Sequence, residues 1–205
     1  MPEKVIDLIE FLQSSRGESR ALIHGSEDFN RLCRHVLSLL QDSVRLFESR
    51  SFSSAVFFAI TALEETAKAV FGMHIHTDSP SGKRKGPLYS HEKKHLLGAG
   101  PLPLELRPRI VQILGRDNAK AVLEMAWNGE FGRLRQKALY AEFSPKGINI
   151  PSDSISKQLA RSVLVFVLDT FDDSIVGYTE VSYSLGKEAE ALLQRVVCGG
   201  NLDRG

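Results

Sequence analysis

Glu64 is a carboxylate in a stretch where the chain otherwise presents hydrocarbon. At about 100° per residue along a helix, Val56, Ile60, Leu63, Ala67, Val70 and Phe71 share one face, and Glu64 falls inside that arc beside Phe57 and Phe71. Glu65 points away, to a more polar side. A carboxylate turned toward a core is costly unless it is paired, hydrogen-bonded or protonated, and Lys68 at i+4 is the nearest candidate partner. Either Glu64 and Lys68 form an ion pair on the boundary of the core, or Glu64 orients a cationic or hydrogen-bonding group in a polar site within the fold.

His74, His76, His91 and His95 fall in one short stretch, and His91 and His95 share a helical face at the i, i+4 spacing that metal-binding helices use. No cysteine and no well-placed carboxylate pair joins them, and the basic loop between the two pairs would repel a cation. The reading is therefore of surface histidines flanking a loop, with no metal and no cofactor. That loop carries Lys83-Arg84-Lys85, which with Lys93 and Lys94 makes the one dense basic patch of the sequence. It is either a solvated loop or a set of phosphate contacts whose strength falls steeply with salt. Trp127 and Phe131, near Gly129 and Gly132, read as core and turn anchors rather than as a platform for bases.

The segments that must position these groups repeat apolar residues at three and four, so the chain reads as all-α and, at 205 residues, as a single domain over 1–205. A 42% apolar content suffices for a sizeable core and excludes disordered and fibrous classes. Lys+Arg at 26 nearly cancel Asp+Glu at 25, so no global basic field marks a dedicated nucleic-acid coat. Cys33 and Cys198 match no zinc or redox spacing, which suggests free buried thiols in a reducing compartment and a cytoplasmic location. No apolar run approaches the roughly 20 residues that span a bilayer, and Met-Pro-Glu-Lys does not open a signal peptide.

Helices are expected over Pro2–Leu12, from about Glu27 to Ser49 with Ser26 as N-cap, and from about Ser53 to His74. The last of these is apolar nearly all round, as befits the centre of a bundle. Residues 77–87 form a basic, turn-rich loop. Shorter helical pieces follow over His91–Leu97, Leu104–Leu114, Asp117–Trp127 and Arg133–Tyr140, the last ended by Ser144-Pro145-Lys146-Gly147. Two helices, about 154–175 and 181–197, close the chain.

Three segments together carry a resemblance. Ser54-Ala-Val-Phe-Phe-Ala-Ile-Thr-Ala-Leu-Glu-Glu-Thr-Ala-Lys68, His91-Glu-Lys-Lys94 and Leu134-Arg-Gln-Lys-Ala-Leu-Tyr140 resemble, in order and spacing, the three motifs of the AbiV family of abortive-infection proteins. Those are HEPN-like domains, compact helical bundles, and the motif-bearing part spans about 27–143. One departure is Ala67, where such families often have Gly before the lysine. The resemblance singles out Glu64, Lys68, His91, Lys94, Arg135 and Tyr140. It implies phage defence by arrest of the host and, for HEPN domains broadly, metal-independent RNA cleavage. In that chemistry His91 would be base or acid, since imidazole exchanges a proton near neutrality. Arg135 would hold the phosphate and Lys68 or Lys94 would add charge. Tyr140 would orient a group or stack on a base, and Glu64 would hold Arg135 or His91. Lys83, Arg84, Lys85 and Lys94 would meet RNA. Arg84 and His91 are the one place where a His follows an Arg after four to six residues, the HEPN nuclease spacing, a number that 15 arginines and 6 histidines produce by chance.

The same resemblance implies a symmetric homodimer and a phage-encoded activator protein, without a membrane partner. Two other functions fit the same residues. One is a non-catalytic helical protein that binds a phage or host polypeptide and blocks an essential machine. The other is a nucleotide-binding bundle.

Overall fold

The computed structural model describes Asp7, Glu10 and residues 22–73, 87–100, 102–145 and 147–199. Among these residues it has nine α-helices and one short hairpin, so the all-α expectation holds. The helix expected over Pro2–Leu12 is described only at Asp7 and Glu10, and the basic loop lies outside the described residues except for Pro87.

Helix α1 (Gly25–Glu48) buries the stripe Phe29, Cys33, Val36, Leu37, Leu40, Val44 and Phe47. It begins earlier than Ser26 would set as a cap: His24 occupies the N-cap and makes no side-chain capping bond. A tight turn through Arg50, which takes a left-handed φ of 64°, reverses the chain into α2 (Phe52–Phe71). The two helices are clamped where the buried Ser43 hydroxyl donates to the Ala55 carbonyl at 2.7 Å.

Helix α2 is the axis of the bundle. Alanines at 55, 59, 62, 67 and 69 let neighbouring helices approach closely, and α1, α3 (His91–Ala99), α6 (Glu130–Leu139) and α8 (Lys157–Ile175) all pack on it. Between α3 and α6 run a 3-10 turn (Leu104–Leu106), α4 (Pro108–Leu114) and α5 (Arg116–Trp127). Helix α8 follows a single turn, α7 (Pro151–Ser154), and is capped by Ser156, which accepts from the Leu159 N–H at 3.2 Å. Helix α9 (Glu180–Gly199) packs on α8 and α1.

The approach of α3 to α2 depends on Gly98. A β-carbon there would stand 2.8 Å from Leu63 Cδ1 and Cγ and 2.9 Å from the Leu63 carbonyl oxygen, inside van der Waals contact. The missing side chain therefore fixes how near the first two turns of α3, with their polar residues, come to Glu64.

Two expectations change. The Ser144-Pro145-Lys146-Gly147 turn does not simply end a helix: it joins β1 (Glu142–Ser144) to β2 (Gly147–Asn149), paired antiparallel with Phe143 opposite Ile148. Extended residues on either side of a proline and glycine turn pair with each other once no helix continues through the proline. The thiols also differ, since Cys33 is buried, with its thiol pushed up to about 12 by burial, while Cys198 is exposed. Among the described residues, no helix is long and apolar enough to cross a membrane.

Candidate functional site

Glu64 is 2% exposed and four groups converge on its carboxylate from two other helices. Helix α3, started by Ser90 whose hydroxyl accepts from the Lys93 N–H, supplies three of them at i, i+3 and i+4, the positions that share a helical face. His91 Nδ1 lies 2.8 Å from both carboxylate oxygens. Lys94 Nζ donates to Oε2 at 2.6 Å, and His95 Nε2 lies 2.9 Å from Oε1. Helix α6 supplies the fourth, Arg135, with Nε 3.9 Å from Oε1. The Arg135 guanidinium rests over the Phe57 ring, 4.8 Å from its centroid, so α2 positions both the anion and the platform beneath the cation.

Burial pushes the Glu64 carboxyl up, but the bonds from His95, Lys94 and His91, with the Lys94 charge, outweigh it and hold the group down at about 2. An ionised carboxylate only accepts, so His91 must carry its proton on Nδ1 and His95 on Nε2. The two histidines differ in access. The His95 side chain is fully buried, edge-on to Phe131 at 6.0 Å, while that of His91 is 57% exposed. The half-exposed His91 ring thus has its Nε2, with no hydrogen-bond partner among the described residues, available as a proton acceptor. Lysine and arginine against one carboxylate leave the cluster with excess positive charge even when both imidazoles are neutral.

The model of the AbiV family, of HEPN type, matches residues 29–169. This chain belongs to the AbiV family. The match covers α1 through most of α8 and includes every residue of the Glu64 cluster. No curated protein and no solved structure matches the chain. AbiV is an abortive-infection family, which gives the chain a defence-type role at family level.

Of the residues singled out in sequence, Glu64, His91, Lys94 and Arg135 come together, one motif from each of three helices. Lys68 does not join them. Its ammonium pairs instead with Glu65 at 2.5 Å on the outer side of α2, because α3 delivers Lys94 and His95 to the carboxylate first. Tyr140 caps the end of α6, 59% exposed, and is not among the groups bonded to Glu64. Lys83, Arg84 and Lys85 lie outside the described residues, as do His74 and His76.

His95 corrects the reading of surface histidines: it is a core residue. The signal for it was present, since the i, i+4 spacing that suggested a metal also places His95 beside His91 on whatever that face meets. Both histidines commit one nitrogen to Glu64, and among the described residues no group of three His, Cys, Asp or Glu could hold a metal ion. Phe57, a neighbour of Glu64 on the helical wheel that the motifs do not single out, is the platform under Arg135. Trp127 and Phe131 are anchors, Trp127 Nε1 donating to the Gly100 carbonyl at 3.1 Å and Phe131 fully buried.

Proposed function

We propose that this AbiV protein arrests its host on phage infection by metal-independent RNA cleavage at the Glu64 cluster. The observation that carries the reading is the double contact of Glu64 with His91 Nδ1, which fixes the tautomer of a half-exposed imidazole. His91 Nε2 takes the proton of a ribose 2′-hydroxyl as its oxygen attacks the adjacent phosphorus. The 5′-oxygen leaves with a proton taken from solvent, giving a cyclic phosphate end and a 5′-hydroxyl end, and the His91 imidazolium returns its proton to solvent. Glu64, ionised throughout, steadies the imidazolium that forms, the role of the carboxylate in other acid and base relays. Arg135, held over the Phe57 ring, meets the negative charge of the phosphorane. Lys94 and His95 act through Glu64 as positioning residues.

Incubation of purified protein with total RNA, without added metal, tests this by end-group analysis. Wild type should yield cyclic or 3′-phosphate ends, and His91→Ala or Arg135→Ala should lose about 100-fold or more in rate. Cleavage that survives both substitutions refutes the assignment. Cleavage that begins only on adding extract of infected cells would place a phage-encoded activator ahead of the site.

A second reading, a non-catalytic interaction protein, is favoured by the hairpin. Phe143 is 83% exposed and Ile148, paired with it, 63%. Large apolar side chains facing water together are typical of a surface that meets protein. A homodimer through this surface, or capture of a phage or host polypeptide on it, would make toxicity sensitive to Phe143→Ser and Ile148→Ser and indifferent to His91→Ala. Light scattering of the double serine variant against wild type separates the dimer from the other partners.

A further inference from the structure

The end of α3 remote from His91 meets the C-terminal ends of α2 and α8 around a cavity of about 180 Å³. Val70, Phe71, Leu97 and Leu102 give it an apolar wall, and Arg107 and Asp173 bring charges of opposite sign to its lining. An apolar cavity of about 150 Å³ holds one benzene, so this one takes a molecule of similar size or a little larger.

Neither charge is spent within the fold. Arg107 is 5% exposed and sits over the Phe166 ring, 5.5 Å from its centroid. It donates from Nη1 to the Thr170 hydroxyl at 3.2 Å and from Nη2 to the Ala99 carbonyl. A guanidinium has five N–H groups, and among the described residues the others, that of the buried Nε included, have no acceptor. A buried cation with donors to spare beside a cavity calls for an acceptor within it. Arg109 takes up Asp169 and Asp172 but leaves Asp173, which is exposed and has no hydrogen bond or ion pair among the described residues. Arg107 and Asp173 are close enough to act on each other electrostatically, yet they do not pair. The last carbonyls of three helices add partial negative charge on the side of Asp173.

A simple carboxylate would answer Arg107 and be repelled by Asp173 and the helix ends, while a simple amine would leave Arg107 unanswered. A small apolar body carrying both charges on neighbouring atoms satisfies each. We infer that this cavity binds a free α-amino acid with an apolar side chain of about leucine's size. The carboxylate accepts from Arg107, the ammonium donates to Asp173, and the side chain lies against Val70, Phe71 and Leu97. The occupant touches the end of the helix whose first two turns hold His91, Lys94 and His95 against Glu64. The inference goes beyond the cleavage reading and stands or falls apart from whether RNA is cut.

Calorimetric titration of the full chain with leucine, isocaproate and isopentylamine tests it, the last two being leucine without its ammonium and without its carboxylate. Leucine should bind about 10-fold more tightly than either, the loss expected for one charge-assisted contact. Asp173→Asn, at an exposed position, should fold as wild type and bring leucine down to the affinity of isocaproate. Val70→Phe, which fills the cavity from the α2 side, should abolish binding. Absence of saturable leucine binding, an analogue that binds as tightly as leucine, or an Asp173→Asn variant that binds leucine as wild type does would each overturn the assignment.

Discussion

Replacing Glu64 by Gln keeps the shape of the side chain and removes its charge. The wild-type carboxyl lies at about 2 against an ordinary 4.5. At about 1.4 kcal/mol for each pH unit, that difference is worth about 3 kcal/mol of folding stability. An independent route gives a similar figure. Lys94 and His95 are buried with Glu64 as their shared acceptor, and breaking a buried pair by removing one partner costs about 3–5 kcal/mol. The amide would also turn two donors toward a site already full of donors. For a chain of this size, Glu64→Gln should therefore melt about 10 °C below wild type near pH 7. Glu65→Gln, whose lysine partner is 37% exposed, should change the melting point by no more than about 2 °C.

The pH dependence follows from the sign of the displacement. Because folding lowers the Glu64 value, its stabilisation is complete above about 4.5 and is lost as pH falls toward about 2. About three-fifths of it is gone by pH 3. Since the Gln variant cannot titrate at this position, the gap in unfolding free energy between the two proteins isolates Glu64 from every other carboxyl. Denaturant unfolding at pH 7, 5, 4 and 3 measures that gap. A variant within about 2 °C of wild type at pH 7, or a gap that does not narrow between pH 5 and pH 3, would refute the account of Glu64 as the ionised hub of the site.

Gly98→Ala should cost about 1–3 kcal/mol by forcing α3 away from Leu63, and it should raise the Glu64 value as Lys94 and His95 withdraw, read by carboxyl-resolved NMR titration. Arg109 bonds Asp169, Asp172 and Glu190 at once, tying α4 to α8 and α9, and Asp169 is 3% exposed there. Arg109→Met strands that buried carboxylate and should lower stability by about 3–5 kcal/mol in denaturant melts, with the loss shrinking in acid as Asp169 protonates. A maleimide added to the native protein should label Cys198 alone within minutes, and Cys33 only once denaturant unfolds the core, as peptide mapping would report.

Periodicity at three and four was enough to make the chain helical, to place α2 at the centre, and to turn Glu64 inward, since all three depend on neighbours within a few turns. The motifs also named Glu64, His91, Lys94 and Arg135 as belonging to one site. Which group answers the carboxylate was not a local matter. Lys68 is four residues away along the same helix, yet Lys94 and His95, 30 and 31 positions away, take its place. They do so because Gly98 lets α3 settle on Leu63, and a buried anion favours donors that can be buried with it over a lysine whose stem leads outward. The Arg109 network is of the same kind. Asp169 and Asp172 interrupting an apolar helix are its visible sign, but their partner lies 60 or more residues away on α4. The hairpin at Phe143 is local, two three-residue strands joined across a proline and glycine turn, and too short for a period of two to show. The Glu64 cluster and the Arg109 network depend on segments whose spacing in the chain carries no period, so only the packed helices bring their residues together.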